Sequence, residues 1–162
     1  MEKFKRRTYR NLREVLTDVK VMTYKRKDIK GLMRNGVIDE AFRERLMLAV
    51  TEVNGCRYCM YAHARMALTA GISENELKAL GQGLFDGSPK EEVIALLYAQ
   101  HWAETNAKPE VEARERVVAQ YGKATVEAIE LVLRMIRMGN LLGNTWDYFL
   151  YRISFGHWGG EE

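Results

Sequence analysis

"DEAFRERLMLAVTEVNGCRYCMYAHARMALTAG", residues 39–71, decides how this chain folds. From Phe42 the apolar residues return at helical spacing through Leu46, Ala49, Val50 and Val53, and Asp39 stands where an N-cap belongs. Asn54 and Gly55 interrupt the pattern. A second helix then runs from about Cys56 to Ala70, with Gly71 as its C-cap. The stretch predicts two antiparallel helices joined by a very short turn.

Similar signals recur on both sides. Thr8 can cap a first helix whose Tyr9, Leu12, Leu16 and Val19 share one stripe, and the two glycines of "KGLMRNGVID" (30–39) break it. Ser73 with Glu76 resembles a capping box. Ser88, Pro89 and Glu91 open the next helix, with proline at its first position. Pro109 starts another that finishes near Gly122, and the apolar run 124–153 supplies one or two more. The chain has only two prolines and no pair of alternating β-branched runs around a hairpin turn. It contains no internal repeat or linker, and a closing Gly-Gly precedes an acidic tail. The expectation is one all-α domain over residues 1–162, with seven or eight helices.

A chain of 162 residues with 47% hydrophobic content can bury a full core without staples. The opening "MEKFKRRTYR" lacks the apolar stretch of a secretory signal, and no run approaches a membrane span. A cytoplasmic location is expected, where a lasting structural disulfide is disfavoured and a cycling one is favoured. The net charge of +3 is uneven: residues 1–34 carry twelve Lys/Arg against four Asp/Glu. A solvated helix face explains this better than a nucleic-acid site, because no aromatic-interleaved basic stripe accompanies it.

The two cysteines fall in "CRYCMYAH" (56–63). On a helix Cys56, Cys59 and His63 stand at i, i+3 and i+7, on one face. First-turn N–H groups and the helix dipole favour a thiolate there. His63 lies one turn beyond Cys59, placed as the base partner of a nucleophilic cysteine. Haem attachment needs histidine directly after the second cysteine, where Met60 stands. Zinc lacks a fourth ligand, since no second CxxC or HxxxH exists. A thioredoxin-type site expects a βαβ context. Core packing of free cysteines stays open as the plainer alternative.

Glu44 lies nineteen residues before His63 on the preceding helix. Antiparallel packing would bring its carboxylate level with the imidazole, although Arg43 and Arg45 beside it suggest an ordinary charged face. The pattern Glu44–x11–Cys56–x2–Cys59–x3–His63, with "LAVTEVNGCRYCMYAHARMALTAGISENEL" around it and "GNLLGNTWDYFLYRI" near the end, resembles the AhpD-like alkylhydroperoxidases of the carboxymuconolactone decarboxylase superfamily.

That resemblance implies an AhpD-like helical fold, assembly as a homo-oligomer (trimer or hexamer), and reduction of small hydroperoxides through a CxxC disulfide cycle. On matching positions Cys59 would be the attacking thiol, Cys56 the resolving one, His63 the proton relay and Glu44 the base. An external dithiol, in the best-known members a lipoyl-bearing protein, would reduce the disulfide. No metal, flavin, nicotinamide or other bound cofactor is implied, and neither nucleic acid nor membrane is an expected partner. If Cys59 meets the peroxide, an exposed Cys56 would meet the reductant. Some members carry a second relay histidine where this chain has Tyr58, a phenol that titrates at about 10. A CxxC reductase without peroxide turnover, and a non-redox decarboxylase-like enzyme, are the competing functions. Met60, Tyr61 and Met66 are read as packing or pocket lining, His101 and His157 as local hydrogen-bonding groups. Trp146, Tyr148 and Phe149 form a candidate subunit interface.

Overall fold

A computed structural model describes residues 4–160. The first three residues of the basic segment and the acidic tail Glu161–Glu162 lie outside it. Among the described residues there are eight helices and no strand, an all-α fold. They are α1 (Leu12–Tyr24), α2 (Arg26–Asn35), α3 (Glu40–Asn54), α4 (Arg57–Thr69), α5 (Glu74–Leu80), α6 (Val93–Glu104), α7 (Val111–Tyr121) and α8 (Lys123–Ile153).

Helix α3 is the axis of the molecule. Every residue from Phe42 to Thr51 is buried, because α3 packs against α8, α6 and α4 together. Leu46, Val50, Leu96, Ala99, Trp102, Ile129 and Val132 form the main core between α3, α6 and α8. A smaller cluster of Leu48, Ala67, Ile72 and Leu80 seals α3 against α4 and α5. Asp39 caps α3 by accepting the Phe42 N–H (2.8 Å), and Ser73 caps α5 by accepting that of Glu76 (3.2 Å). Glu76 does not close the second half of a capping box: its carboxylate takes the Arg45 Nε–H (2.6 Å) and the Ser88 hydroxyl (2.8 Å).

Several expected boundaries move. The cap of α1 is Asn11, which accepts the Glu14 N–H, and not Thr8. The preceding backbone is already committed: Arg7 N–H donates to the Asn54 carbonyl (3.3 Å) and Tyr9 N–H to Thr145 Oγ1 (3.1 Å). Residues 6–9 therefore form a strap across the α3–α8 junction instead of a helical turn. Gly31 sits inside α2, and the break between α1 and α2 falls at Lys25. Pro89 does not begin α6, which opens at Val93 after a turn. The stripe of α1 faces outward, with Leu12 70% and Leu16 59% exposed, while Tyr9 is buried. The run 124–153 belongs to one helix, α8.

Candidate active site

The turn between α3 and α4 is compact because Gly55 adopts φ +72°, a left-handed conformation that glycine tolerates without strain. Its N–H closes on the Thr51 carbonyl (2.8 Å). The next residue, Cys56, is already the N-cap of α4, and its sulfur takes the place of the usual capping oxygen by accepting the Cys59 N–H (3.4 Å). The two sulfurs lie 2.9 Å apart and share one hydrogen bond. Both cysteines are free.

On the facing helix Glu44 is only 1% exposed, and its Oε2 pairs with His63 Nδ1 at 2.7 Å. That bond orients the imidazole and leaves Nε2 to act on another group. Arg43 and Arg45 are not a solvated face, since both are buried beside Glu44. Arg45 is held by Glu76 and Glu92, while Arg43 Nε approaches Glu44 Oε1 at 3.8 Å and has no hydrogen-bond partner. A carboxylate this deep is tolerated because an arginine and an imidazole flank it.

The electrostatics of the cysteine pair are lopsided. The Cys59 thiol donates its hydrogen bond to Cys56, and together with the Cys59 and Tyr58 backbone N–H groups this pulls the Cys56 thiol down to about 6, against its burial. Cys59 moves the other way, because its proton is held by the Cys56 sulfur and burial adds to the effect. Access runs opposite to charge. Cys56 is 1% exposed and Cys59 is partly open, which corrects the expectation of an exposed Cys56. A small pocket of about 270 Å³ touches Cys56, bounded by Thr51, Glu52, Gly55, Arg57 and Met60. Burial and Glu104 hold the Glu52 carboxyl above its ordinary range. A larger groove of about 650 Å³, lined by Val21, Leu32, Val37, Ala128 and Leu131, contains none of the four site residues.

Tyr58 is turned away from any relay. Its hydroxyl donates to Asp147 Oδ1 at 2.6 Å, and its ring lies under the Arg57 guanidinium. Asp147 is fully buried on α8 and also receives Arg57 (3.0 Å) and Arg6. Arg6 additionally donates to the Gly159 and Gly160 carbonyls, so Asp147 and Arg6 together tie residues 159–160 and the strap at residues 6–9 to the start of α4. Tyr61 and Met66 are exposed and do not line the site, whereas Met60 does. His101 pairs with Glu110 at the surface. Among the described residues, no group of three or more His, Cys, Asp or Glu side chains is arranged to hold a metal ion.

What sequence reasoning missed is the inner face of α8. Asn140, Asn144 and Asp147 are all fully buried there. Asn140 donates to Thr51 Oγ1 (3.1 Å) and accepts from the Asn54 amide (3.1 Å). Asn144 donates to the Asn54 and Arg7 carbonyls, both at 2.8 Å. The available signal was "GNLLGN" (139–144), a Gly-Asn pair repeated at i, i+4 inside an otherwise apolar helix.

A helical hairpin that carries a close pair of thiols at one end and a carboxylate–imidazole pair along its length defines an all-α protein of the AhpD-like type. Residues 22–104, about half of the chain, match the sequence model of the carboxymuconolactone decarboxylase family, and the chain belongs to that family, which includes AhpD-like proteins. The matched segment contains Glu44, Cys56, Cys59 and His63 but not α8. Comparison with curated proteins and with solved structures gives no match.

Proposed function

We propose that this protein is a thiol-dependent peroxidase that reduces small alkyl or hydrogen peroxides through a Cys56–Cys59 disulfide cycle. The observation that carries this reading is the close pairing of two sulfurs on the hairpin that also pairs Glu44 with His63. A dithiol at 2.9 Å can become a disulfide of about 2.05 Å with small side-chain rotations.

Cys59, the more accessible sulfur, gives up its proton to Glu44 through His63 and attacks the terminal peroxide oxygen. The O–O bond breaks, an S–O bond forms, and the leaving alkoxide or hydroxide takes a proton to depart as alcohol or water. Cys59 is then a sulfenic acid. The Cys56 thiolate attacks its sulfur, the S–S bond forms, and hydroxide leaves as water. An external dithiol, for which a lipoyl-bearing protein is the leading candidate, returns two electrons and two protons by thiol–disulfide exchange. No bound cofactor takes part in this cycle. The protein works as a homo-oligomer in the reducing cytoplasm.

Stopped-flow peroxide consumption with dihydrolipoamide, thioredoxin and glutathione compared as donors tests the reading, with intact mass reporting the disulfide in the same samples. Turnover with at least one donor and conversion of the pair to a disulfide are expected. Undiminished peroxide turnover in a protein with both cysteines changed to serine would overturn it, because the disulfide cycle could not then be the route.

A second reading has an observation of its own. A Cys56 thiol lowered to about 6 also suits general disulfide exchange without peroxide turnover. The two readings part at Glu44, which exchange does not require.

A further inference from the structure

The helix α8 backbone lies against both sulfurs. A Cβ on Gly143 would stand 3.0 Å from Cys56 Sγ, and one on Gly139 would stand 3.8 Å from Cys59 Sγ. Only glycine at 143 admits such an approach without displacing the sulfur. Between these two glycines, on the same buried face, is Asn140, with no solvent exposure at all. Its amide nitrogen spends one hydrogen on Thr51 Oγ1, and its oxygen is taken by the Asn54 amide. A carboxamide nitrogen has two hydrogens. The second is not spent on Thr51, and it belongs to a side chain flanked in sequence by the two glycines that approach the sulfurs.

We infer that Asn140 is a positioning residue for the cysteine pair: held by Thr51 and Asn54 and seated between Gly139 and Gly143, its carboxamide stabilises the negative charge that the two sulfurs share. The inference deepens the dithiol reading of the site and assigns a role to a residue outside the family-matched segment. The electrostatics agree in direction, since the Asn140 side chain favours the charged form of both thiols. The physical logic is that of any buried anion, which needs donors fixed in advance because no water can reorganise around it. α8 supplies a donor that neither the dipole of α4 nor His63 provides.

The test is the pH dependence of iodoacetamide alkylation of the reduced protein, followed by intact mass, for wild type, Asn140→Ala, Asn140→Asp and Asn144→Ala. This readout does not depend on peroxide turnover, so failure of the peroxidase reading and failure of this inference are separable. Asn140→Ala should shift the alkylation midpoint upward. Asn140→Asp, which puts a carboxylate beside the sulfurs, should shift it further and slow alkylation at neutral pH by about tenfold or more. Asn144→Ala removes bonds to the Asn54 and Arg7 carbonyls one turn away; it should lower thermal stability without moving the midpoint. An Asn140→Ala midpoint equal to wild type, or an equal shift in Asn144→Ala, overturns the inference. Should the Asn140 variants not fold, the wild-type protein answers instead. Its Asn140 side-chain amide resonances should titrate with the cysteine pair and move on oxidation, and a pH-invariant, redox-invariant signal overturns the proposal.

Discussion

Glu44 and His63 come from different helices, nineteen residues apart, yet Oε2 and Nδ1 meet at 2.7 Å with Glu44 almost completely shielded from water. A buried carboxylate paired to one imidazole nitrogen fixes the ring and prepares the other nitrogen for proton transfer. Glu44→Gln keeps the shape and removes the charge. Peroxide turnover should fall by roughly a hundredfold or more, the scale of a positioned acid–base group. Reduction of a small disulfide by the dithiol should survive. Equal losses in both assays would show that Glu44 merely holds the hairpin together.

The cysteine pair makes a sign-specific prediction. With Cys56 lowered to about 6, alkylation of the reduced wild-type protein should be half-maximal near that pH and should fall as the solution is acidified. Cys59 holds its proton because Cys56 is its acceptor. Cys56→Ser therefore lowers the Cys59 thiol back toward the ordinary cysteine range of about 8.5. In that variant peroxide should leave a trappable sulfenate on Cys59, and in Cys59→Ser the signal should vanish. Dimedone labelling with peptide mass mapping decides it, and a sulfenate found on Cys56 in wild type would reverse the assigned roles.

The hairpin was legible because its determinants are local. Asp39, Asn54-Gly55 and the spacing of Cys56, Cys59 and His63 each act within a turn or two, and the facing of Glu44 on His63 follows once two helices are joined by so tight a turn. The remainder depends on contacts between distant segments. Thr8 has the chemistry of a cap, but the strap around it spends its N–H groups on Asn54 and Thr145, so the helix waits until Asn11. Arg43 and Arg45 look like surface charge until Glu76 and Glu92 are brought to Arg45 from other elements. The Gly-Asn repeat marks Asn140 and Asn144 as unusual, but nothing local says that their amides meet Thr51 and Asn54 on α3, about ninety residues earlier, or Arg7 in the strap.

Asp147 is a buried charge serving two segments, and removing one partner of such a cluster costs about 3–5 kcal/mol. Burial alone would raise its carboxyl, but Tyr58, Arg57 and Arg6 together hold it below the usual carboxylate range. A depressed acid contributes stability at pH values above its unfolded value, about 3.9. That contribution is lost as pH falls through the lower folded value. Asp147→Ala should therefore be clearly less stable than wild type at pH 7, and the difference should narrow below about pH 4. Urea midpoints at pH 7, 5 and 3 measure this, and a gap that stays constant or widens in acid would remove Asp147 from the account.

The outer face of α8 makes the last prediction. Trp146 is 57% and Phe149 51% exposed, with their rings stacked at 5.7 Å, and Ile153 follows on the same helix. Aromatic side chains left open on a rigid helix are costly in water and are the typical anchors of subunit contacts. The same helix sets Gly139 and Gly143 against the cysteines on its inner side, so assembly through Trp146 and Phe149 would brace the bed of the candidate active site. Wild-type protein should sediment as a trimer or hexamer. Trp146→Glu with Phe149→Glu should yield monomers that remain helical, because neither side chain belongs to the core. Peroxide turnover per chain should drop in those monomers while Cys56 and Cys59 still alkylate. A wild-type monomer at micromolar concentration, or unchanged sedimentation in the double variant, would send the search for the interface elsewhere, first to Leu12 and Leu16 on α1.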